Sequence, residues 1–331
     1  MKINENTLLQ TGSDAKLFHN LIKDRKAIIV SDGNVFNLYP ELFFGYEHVL
    51  IGQGEDIKTL STVEYLINEF TAKNLDRNSL IIGLGGGLIT DVVGFVASIF
   101  MRGVNFGFIP TTLLAQVDAA IGGKNGVNFN LYKNYIGTFN QPEFIICDSI
   151  FFKTLPEIEF KSGLGEVLKY SLIQHTRLFD YLNNNTYKVL NRDTDALNYI
   201  VNECIEIKTA VVEQDPFDHG IRNILNLGHS FGHVIELTEN IPHGIAVVAG
   251  IKKAAELSSK LGHLDKDTLH KIENLANKLG FSNNYEFKKE HVEILLKDKK
   301  KTNDILKLVI LKDIGFADTI ELDEQQIKDL L

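Results

Sequence analysis

Three of the ten histidines in this 331-residue chain fall within fifteen residues, in Gly228-His229-Ser230-Phe231-Gly232-His233 and Pro242-His243-Gly244. On a helix, His229 and His233 stand four apart on one face, which suits shared work at one centre. His243 follows a proline, where a new helix can start and fold back on the first. A catalytic zinc takes three protein ligands from His, Asp, Glu or Cys and keeps one position open. The spacing admits that reading and a metal-free polar cluster alike, and by itself selects His229 and His233 as the ligand pair. A further ligand candidate is Glu166, in Gly163-Leu164-Gly165-Glu166-Val167-Leu168-Lys169-Tyr170. Glu166 and Lys169 are three apart among apolar neighbours, so they are expected to be held by partners rather than solvated.

A second concentration of chemistry lies between Gly83 and Gly126. An apolar run stops at Gly85-Gly86-Gly87 and a helical pattern follows from Leu88. A strand, a glycine turn and a helix in that order let the backbone approach an anion and aim free amides at it. Gly122-Gly123-Lys124 adds a lysine on a second glycine turn, with Arg102 and Asp118 between the two. Arg102, Lys124, Lys133, Lys208 and Arg222 are singly ordinary surface bases. Beside glycine turns and a histidine cluster they fit a ligand carrying phosphate and carboxylate.

The elements that must position these groups change character along the chain. Short apolar runs at Ala27–Val30, His48–Ile51, Leu80–Ile82, Phe106–Ile109 and Phe144–Cys147 alternate with amphipathic stretches such as Ile57–Lys73 and Asp91–Phe100. That alternation predicts a doubly wound, mainly parallel α/β sheet with ligands at the carboxyl ends of its strands, where Asp32 and the glycine turn both fall. From Pro156 helical periodicity predominates, at Glu166–Tyr181, Ala196–Glu213, Arg222–Glu239, Ile245–Leu261 and Asp267–Leu279, with a single strand at Leu306–Leu311. The expected division is an α/β domain over 1–155 and a mainly helical domain over 156–331. The run Lys297, Lys299, Lys300, Lys301 reads as a solvated loop.

Composition bounds the function. With 34 basic and 43 acidic residues the formal charge is -9, against a dedicated nucleic-acid binder. A phosphorylated small substrate is still compatible, because a cleft can be locally positive on an acidic protein. Two cysteines, Cys147 and Cys204, cannot form a disulfide framework and are expected as buried free thiols. The absence of an apolar run of spanning length and of a leader-like start makes the cytoplasm, without a membrane, the expectation.

Four segments resemble one family: MRGVNFGFIPTTLLAQVDAAIGGKNGVN, KNYIGTFNQP, SGLGEVLKYSLI and RNILNLGHSFGHVIE. They are similar to 3-dehydroquinate synthase, and the likeness runs in order from about Asp32 to Phe316. It implies a dehydroquinate synthase-like fold, a Rossmann-like α/β domain followed by a helical one. It also implies a catalytic NAD+, a divalent metal (Zn2+ or Co2+), a phosphorylated sugar acid as substrate and a homodimer. The implied reaction, a step of the shikimate pathway, converts 3-deoxy-D-arabino-heptulosonate 7-phosphate to 3-dehydroquinate and phosphate. The metal ligands it implies are Glu166, His229 and His243. His233 becomes an active-site residue that is not a ligand, against the choice made on spacing.

Residue by residue, the resemblance assigns Arg102, Lys124, Asn134, Lys169, Lys208, Arg222 and Asn226 to the substrate, with Asp118 between substrate and cofactor. For NAD+ it assigns Asp32, Glu55, Lys58, the turn Gly86, Gly87, Leu88, Ile89, Thr90 and Asp91, then Thr111, Thr112, Lys124 and Lys133. The segment Phe151, Phe152, Lys153 and Thr154 completes that set. Lys299 or Lys300 is expected to reach the substrate. Departures from the family pattern are Ile245 for the glutamate after His243-Gly244, Thr90 for glycine, Asn125 for threonine and Tyr132 for glycine. Loss of a carboxylate next to a metal ligand is expected to alter metal affinity. The rival readings are a related sugar phosphate cyclase, a metal-dependent alcohol dehydrogenase of the glycerol dehydrogenase type, and a non-catalytic NAD-binding scaffold. Retention of the bases and of Glu166, His229 and His243 argues against the last two.

Overall fold

A computed structural model describes residues 7–330 apart from 131, 284, 286 and 300–304. The chain divides into two compact units, Met1–Pro156 and Glu157–Leu331.

The first unit contains eight described strands: β1 (Leu8–Thr11), β2 (Ala27–Asp32), β3 (Glu47–Ile51), β4 (Leu80–Gly85), β5 (Asn105–Pro110), β6 (Lys124–Phe129), β7 (Tyr132–Phe139) and β8 (Phe144–Cys147). Six of them form a parallel sheet in the order β1-β8-β5-β4-β2-β3, the doubly wound architecture expected. Its central strands are apolar on both faces, as a sheet covered on both sides requires. Ile29, Ile82, Leu84, Ile109 and Ile146 belong to the core, with Phe18 and Phe144. From β2 the chain goes outward to β3, then returns across β2 to β4 and proceeds the other way to β5. The switch of direction therefore falls between β2 and β4, and ligands of such sheets bind at the carboxyl ends flanking that point. Asp32 ends β2 and Gly85 ends β4.

Two pieces of this unit escaped the periodicity. The edge strand β1 is four residues long and pairs only with β8. The segment around Lys133-Asn134, to which the sequence assigned no strand, is an antiparallel hairpin of β6 and β7 whose outer strand is largely exposed. A hairpin with little burial need not alternate apolar and polar residues.

The second unit contains helices Glu157–Ile173, Arg177–Leu190, Thr194–Gln214, His229–Glu239, His243–Lys260, Lys266–Lys278, Lys289–Lys299 and Glu324–Leu330. It also contains an antiparallel hairpin of β9 (Ile305–Asp313) and β10 (Phe316–Asp323), where one strand was expected. Two helical boundaries also differ from expectation. The helix carrying Glu166 starts nine residues earlier, so Gly163 and Gly165 lie inside it, and the chain breaks before Arg177. The stretch Arg222–Glu239 is two elements, a 3-10 turn at Ile221–Asn226 and a helix that starts at His229, because Gly228 is left-handed at φ 79°. Cys147 and Cys204 are buried thiols not joined in a disulfide, as expected. Among the described residues no helix is long and apolar enough to cross a membrane.

Candidate functional site

Glycine contacts bring three helices of the second unit close enough to share one centre. A Cβ on Gly244 would lie 1.8 Å from the Ser162 carbonyl oxygen, and one on Gly165 would lie 2.1 Å from that of Gly244. The two backbones thus touch where Glu166 leaves one helix and His243 begins the other, and Ser162 Oγ accepts from the Gly244 amide at 3.0 Å. Further along, a Cβ on Gly250 would sit 1.9 Å from the Gly228 carbonyl oxygen. That contact seats the start of the His229–Glu239 helix against the middle of the His243–Lys260 helix. Gly165, Gly244 and Gly250 are thus close-packing positions inside helices.

Glu166 Oε1 lies 3.3 Å from His243 Nε2 and 3.6 Å from His229 Nε2. Its other oxygen, Oε2, takes the Lys169 ammonium at 2.6 Å. Glu166 and Lys169 are both 1% exposed, so the sequence expectation of a partnered pair is met. The Lys169 Nζ also lies 4.5 Å from the centre of the Tyr170 ring. Each imidazole is anchored at Nδ1, His229 on the Leu227 carbonyl at 3.2 Å and His243 on Glu236 Oε2 at 3.0 Å. Both rings therefore direct Nε2 at one carboxylate oxygen. Glu166, His229 and His243 offer ligand atoms within 4.8 Å of one another, two nitrogens and an oxygen in the donor chemistry of a divalent metal. The residues fit such an ion. His233, with its ring centre 5.5 Å from that of His229, is exposed and outside this set.

Electrostatics distinguish the two histidines. Burial, reinforced by the Lys169 ammonium, pushes His229 down to about 3 against the pull of Glu166. Burial opposes charge on His243 too, but Glu166 and Glu236 together hold it up to about 10. Of these two imidazoles, the one that faces two carboxylates is favoured in its protonated form and the other in its neutral form. Glu236 was missed in the sequence, although its place three residues after His233 on a helix was visible. A carboxylate thus stands beside His243, supplied by the preceding helix, although Ile245 brings none.

Lys208 and Arg222 are buried, and Arg222 donates from Nη1 to the Pro216 carbonyl at 2.9 Å. Asn226 is exposed at the end of its 3-10 turn. Lys299 closes the Lys289–Lys299 helix, and Lys300 lies outside the described residues.

In the first unit the glycine turn is the N-terminus of the Gly87–Ile99 helix, whose Gly86 N-cap has no side chain to satisfy the first amides. A Cβ on Gly86 would meet Thr112 Cγ2 at 3.1 Å, and one on Gly87 would meet Ala119 Cβ at 3.1 Å. Leu88, Ile89 and Thr90 continue the first turn, and Thr111 donates its amide to the Gly85 carbonyl at 2.8 Å. Asp118 lies half-buried in the turn Ala115–Ala119.

Lys58 Nζ contacts Asp91 Oδ2 and Asn134 Oδ1, each at 2.5 Å, so three expected residues meet at one ammonium. Asn128, which the sequence did not single out, donates to Glu55 at 2.7 Å and accepts from the Asn134 amide at 2.8 Å. Asp32 caps the helix Gly33–Leu38, with Oδ1 accepting from Asn34 and Val35 amides. Thr154 Oγ1 contacts Tyr39 Oη at 2.6 Å. Arg102, Lys124, Lys133 and Lys153 are exposed, whereas Phe151 and Phe152 are fully buried. The side chains of the two phenylalanines serve the core, and Phe151 packs edge-on against Tyr39.

Two family models cover most of the chain, "3-dehydroquinate synthase N-terminal" over residues 48–162 and "3-dehydroquinate synthase C-terminal" over 163–301. The chain belongs to the 3-dehydroquinate synthase family. The 3-dehydroquinate synthase of Clostridium tetani is 39% identical over 330 residues, 98% of this chain and 85% of the relative. That of Campylobacter fetus is 40% identical over 307 residues, 90% and 86% of the two chains. Among solved structures, a 2-deoxy-scyllo-inosose synthase complexed with carbaglucose-6-phosphate, NAD+ and Co2+ is similar with a TM-score of 0.87 at 25% identity. The match covers 98% of this chain and 95% of that one. Both the family and the fold implied by the four sequence segments are therefore correct. NAD+ and Co2+ accompany this architecture in that solved structure.

Proposed function

We propose that this chain is a 3-dehydroquinate synthase that eliminates phosphate from 3-deoxy-D-arabino-heptulosonate 7-phosphate and closes the product ring. Residues 1–155 seat NAD+, and residues 156–331 hold a divalent cation and much of the substrate's charge. The observation that carries the reading is the convergence of Glu166 Oε1 with the Nε2 atoms of His229 and His243 beside a buried ammonium. Glu166, His229 and His243 hold Zn2+ or Co2+. When bound, the cation and NAD+ supply polarisation of an alcohol and reversible hydride removal from it. The free first-turn amides of the Gly87–Ile99 helix, in the turn Gly86–Asp91, take the dinucleotide's phosphates. Asp32, Glu55, Lys58, Thr111, Thr112 and Thr154 orient the remainder of that cofactor, with Lys124 and Lys133 nearby.

Arg102, Lys124, Asn134, Lys169, Lys208, Arg222 and Asn226 bind the phosphate and carboxylate of the substrate. Buried Lys169, Lys208 and Arg222 act where water screens them least. His233 relays the proton lost at the secondary hydroxyl, and Asp118 holds polar groups between substrate and cofactor. The chain works as a cytoplasmic homodimer, which sedimentation of the purified protein tests.

The deciding assay uses purified protein with NAD+, Zn2+ or Co2+ and the heptulosonate phosphate. Phosphate release with no net NADH is expected. Steady NADH production would instead indicate a dehydrogenase, and absence of phosphate release would refute the proposed reaction.

A further inference from the structure

We propose that Glu236 is the positioning residue of the candidate metal centre, accepting the His243 Nδ1 proton and thereby committing Nε2 to the cation. The inference rests on the metal-centre reading above. Two observations carry it. Glu236 Oε2 lies 3.0 Å from His243 Nδ1, while the opposite nitrogen of the same ring lies 3.3 Å from Glu166 Oε1. The two carboxylates grip one imidazole from its two ends, so a ring flip would lose a charged partner at each end, and a cation at Nε2 leaves the ring proton to Nδ1 and Glu236. A carboxylate on the distal nitrogen also makes an imidazole a stronger donor.

The two histidine ligands differ in this respect. His229 is oriented by a main-chain carbonyl, which no substitution removes, and it is the more buried ring. His243 is 34% exposed at its side chain and begins its helix, so packing alone holds it less firmly. Its orientation depends on a side chain that comes from the neighbouring His229–Glu239 helix. Ile245, two residues after His243, brings no polar group of its own.

A competing role for the same residue exists on geometric grounds. His233, Glu236 and His243 also offer ligand atoms within 4.8 Å of one another, as a second cation set would. Filling that set together with the first would need His243 to give lone pairs from both ring nitrogens at once, which requires the ring to lose both protons. A neutral imidazole donates at one nitrogen and accepts at the other. A neutral His243 that gives Nε2 to the Glu166 set therefore keeps its Nδ1 proton for Glu236, and one cation is held.

The test is titration of the metal-stripped full chain with Co2+, followed by visible absorption, in wild type, Glu166→Ala, Glu236→Ala and Glu236→Gln. Wild type is expected to bind one equivalent. Glu236→Ala should bind about 10–100-fold more weakly, with a shifted cobalt spectrum. Glu236→Gln keeps an acceptor for the Nδ1 proton and should restore most of the affinity and the wild-type band positions. Unchanged affinity and spectrum in Glu236→Ala would overturn the positioning role, as would a glutamine variant as weak as alanine. A second equivalent bound by wild type and lost in Glu236→Ala would overturn it in favour of a second cation set. By contrast, no uptake by wild type, or uptake indifferent to Glu166→Ala, would overturn the metal-centre reading itself.

Discussion

The helical unit concentrates its chemistry on buried side chains, whereas the α/β unit presents backbone amides and exposed bases. Glu166 and Lys169 are sealed at 1% exposure, and three helices in glycine contact hold the surrounding imidazoles. In the first unit Lys58 is buried, but its partners Asp91 and Asn134 are partly or wholly exposed, and Arg102, Lys124 and Lys133 face outward. The difference fits the two jobs proposed for the units. A small divalent ion needs ligands fixed to a fraction of an ångström before it arrives. A long dinucleotide is met by a helix terminus and by many contacts, each individually modest.

The contrast is broken most severely at the buried carboxylate. Glu166→Ala leaves the Lys169 ammonium buried without its carboxylate and should cost about 3–5 kcal/mol. Urea unfolding and loss of Co2+ uptake would register it, and full retention of stability would mean that Lys169 is satisfied elsewhere. Next comes Gly244→Ala, whose Cβ would lie 1.8 Å from a main-chain oxygen that no rotamer change can move. The helices must separate, at about 3 kcal/mol, the upper range for overpacking. Metal uptake should fall with it, because His243 rides on the displaced helix. Gly33→Ala in the α/β unit, where nothing lies within 4 Å of the added carbon, should leave the unfolding midpoint unchanged.

Asp91→Asn tests the less sealed ion pair. With Asn134 still on Lys58 and the Asp91 side chain 20% exposed, the loss should be about half that of Glu166→Ala. The kinetic expectation is a rise in the NAD+ concentration required for activity. An equal loss at the two sites would erase the distinction between the units.

Protons sharpen the comparison at the smallest scale. His243 is raised to about 10, so its contribution to apo stability is complete below its unfolded value near 6.5 and is lost as pH rises through 10. His229 is depressed to about 3, so its contribution is present above 6.5 and is lost as pH falls through 3. At neutral pH only His243 must give up a proton to become a ligand. Calorimetry in buffers of different ionisation enthalpy should therefore show about one proton released per cation bound. Release of none would remove the assigned protonation of His243.

Much of this architecture was legible because the local signals were strong. Buried runs such as Ala-Ile-Ile-Val and Leu-Ile-Ile announced central strands, and the glycine turn announced the helix after β4. The outer hairpin β6–β7 and the edge strand β1 were illegible because neither imposes a strong alternation. The helix carrying Glu166 was misjudged at its start because it is buried on nearly every face from Ser162 to Ile173, which removes the 3.6-residue pattern. Spacing proposed His229 and His233 as ligands, since both lie on one helix. The resemblance instead named His243, which the fold brings opposite Glu166.

By itself the sequence determined the alternation of strands and helices, the family, and the residue types able to hold a cation and phosphate. Only tertiary structure decided which histidine nitrogen faces Glu166, which imidazole keeps the proton, and that Glu236 stands behind His243. Those choices depend on helix backbones touching at Gly165, Gly228, Gly244 and Gly250. Such contacts join residues far apart in the chain, and no local periodicity encodes them.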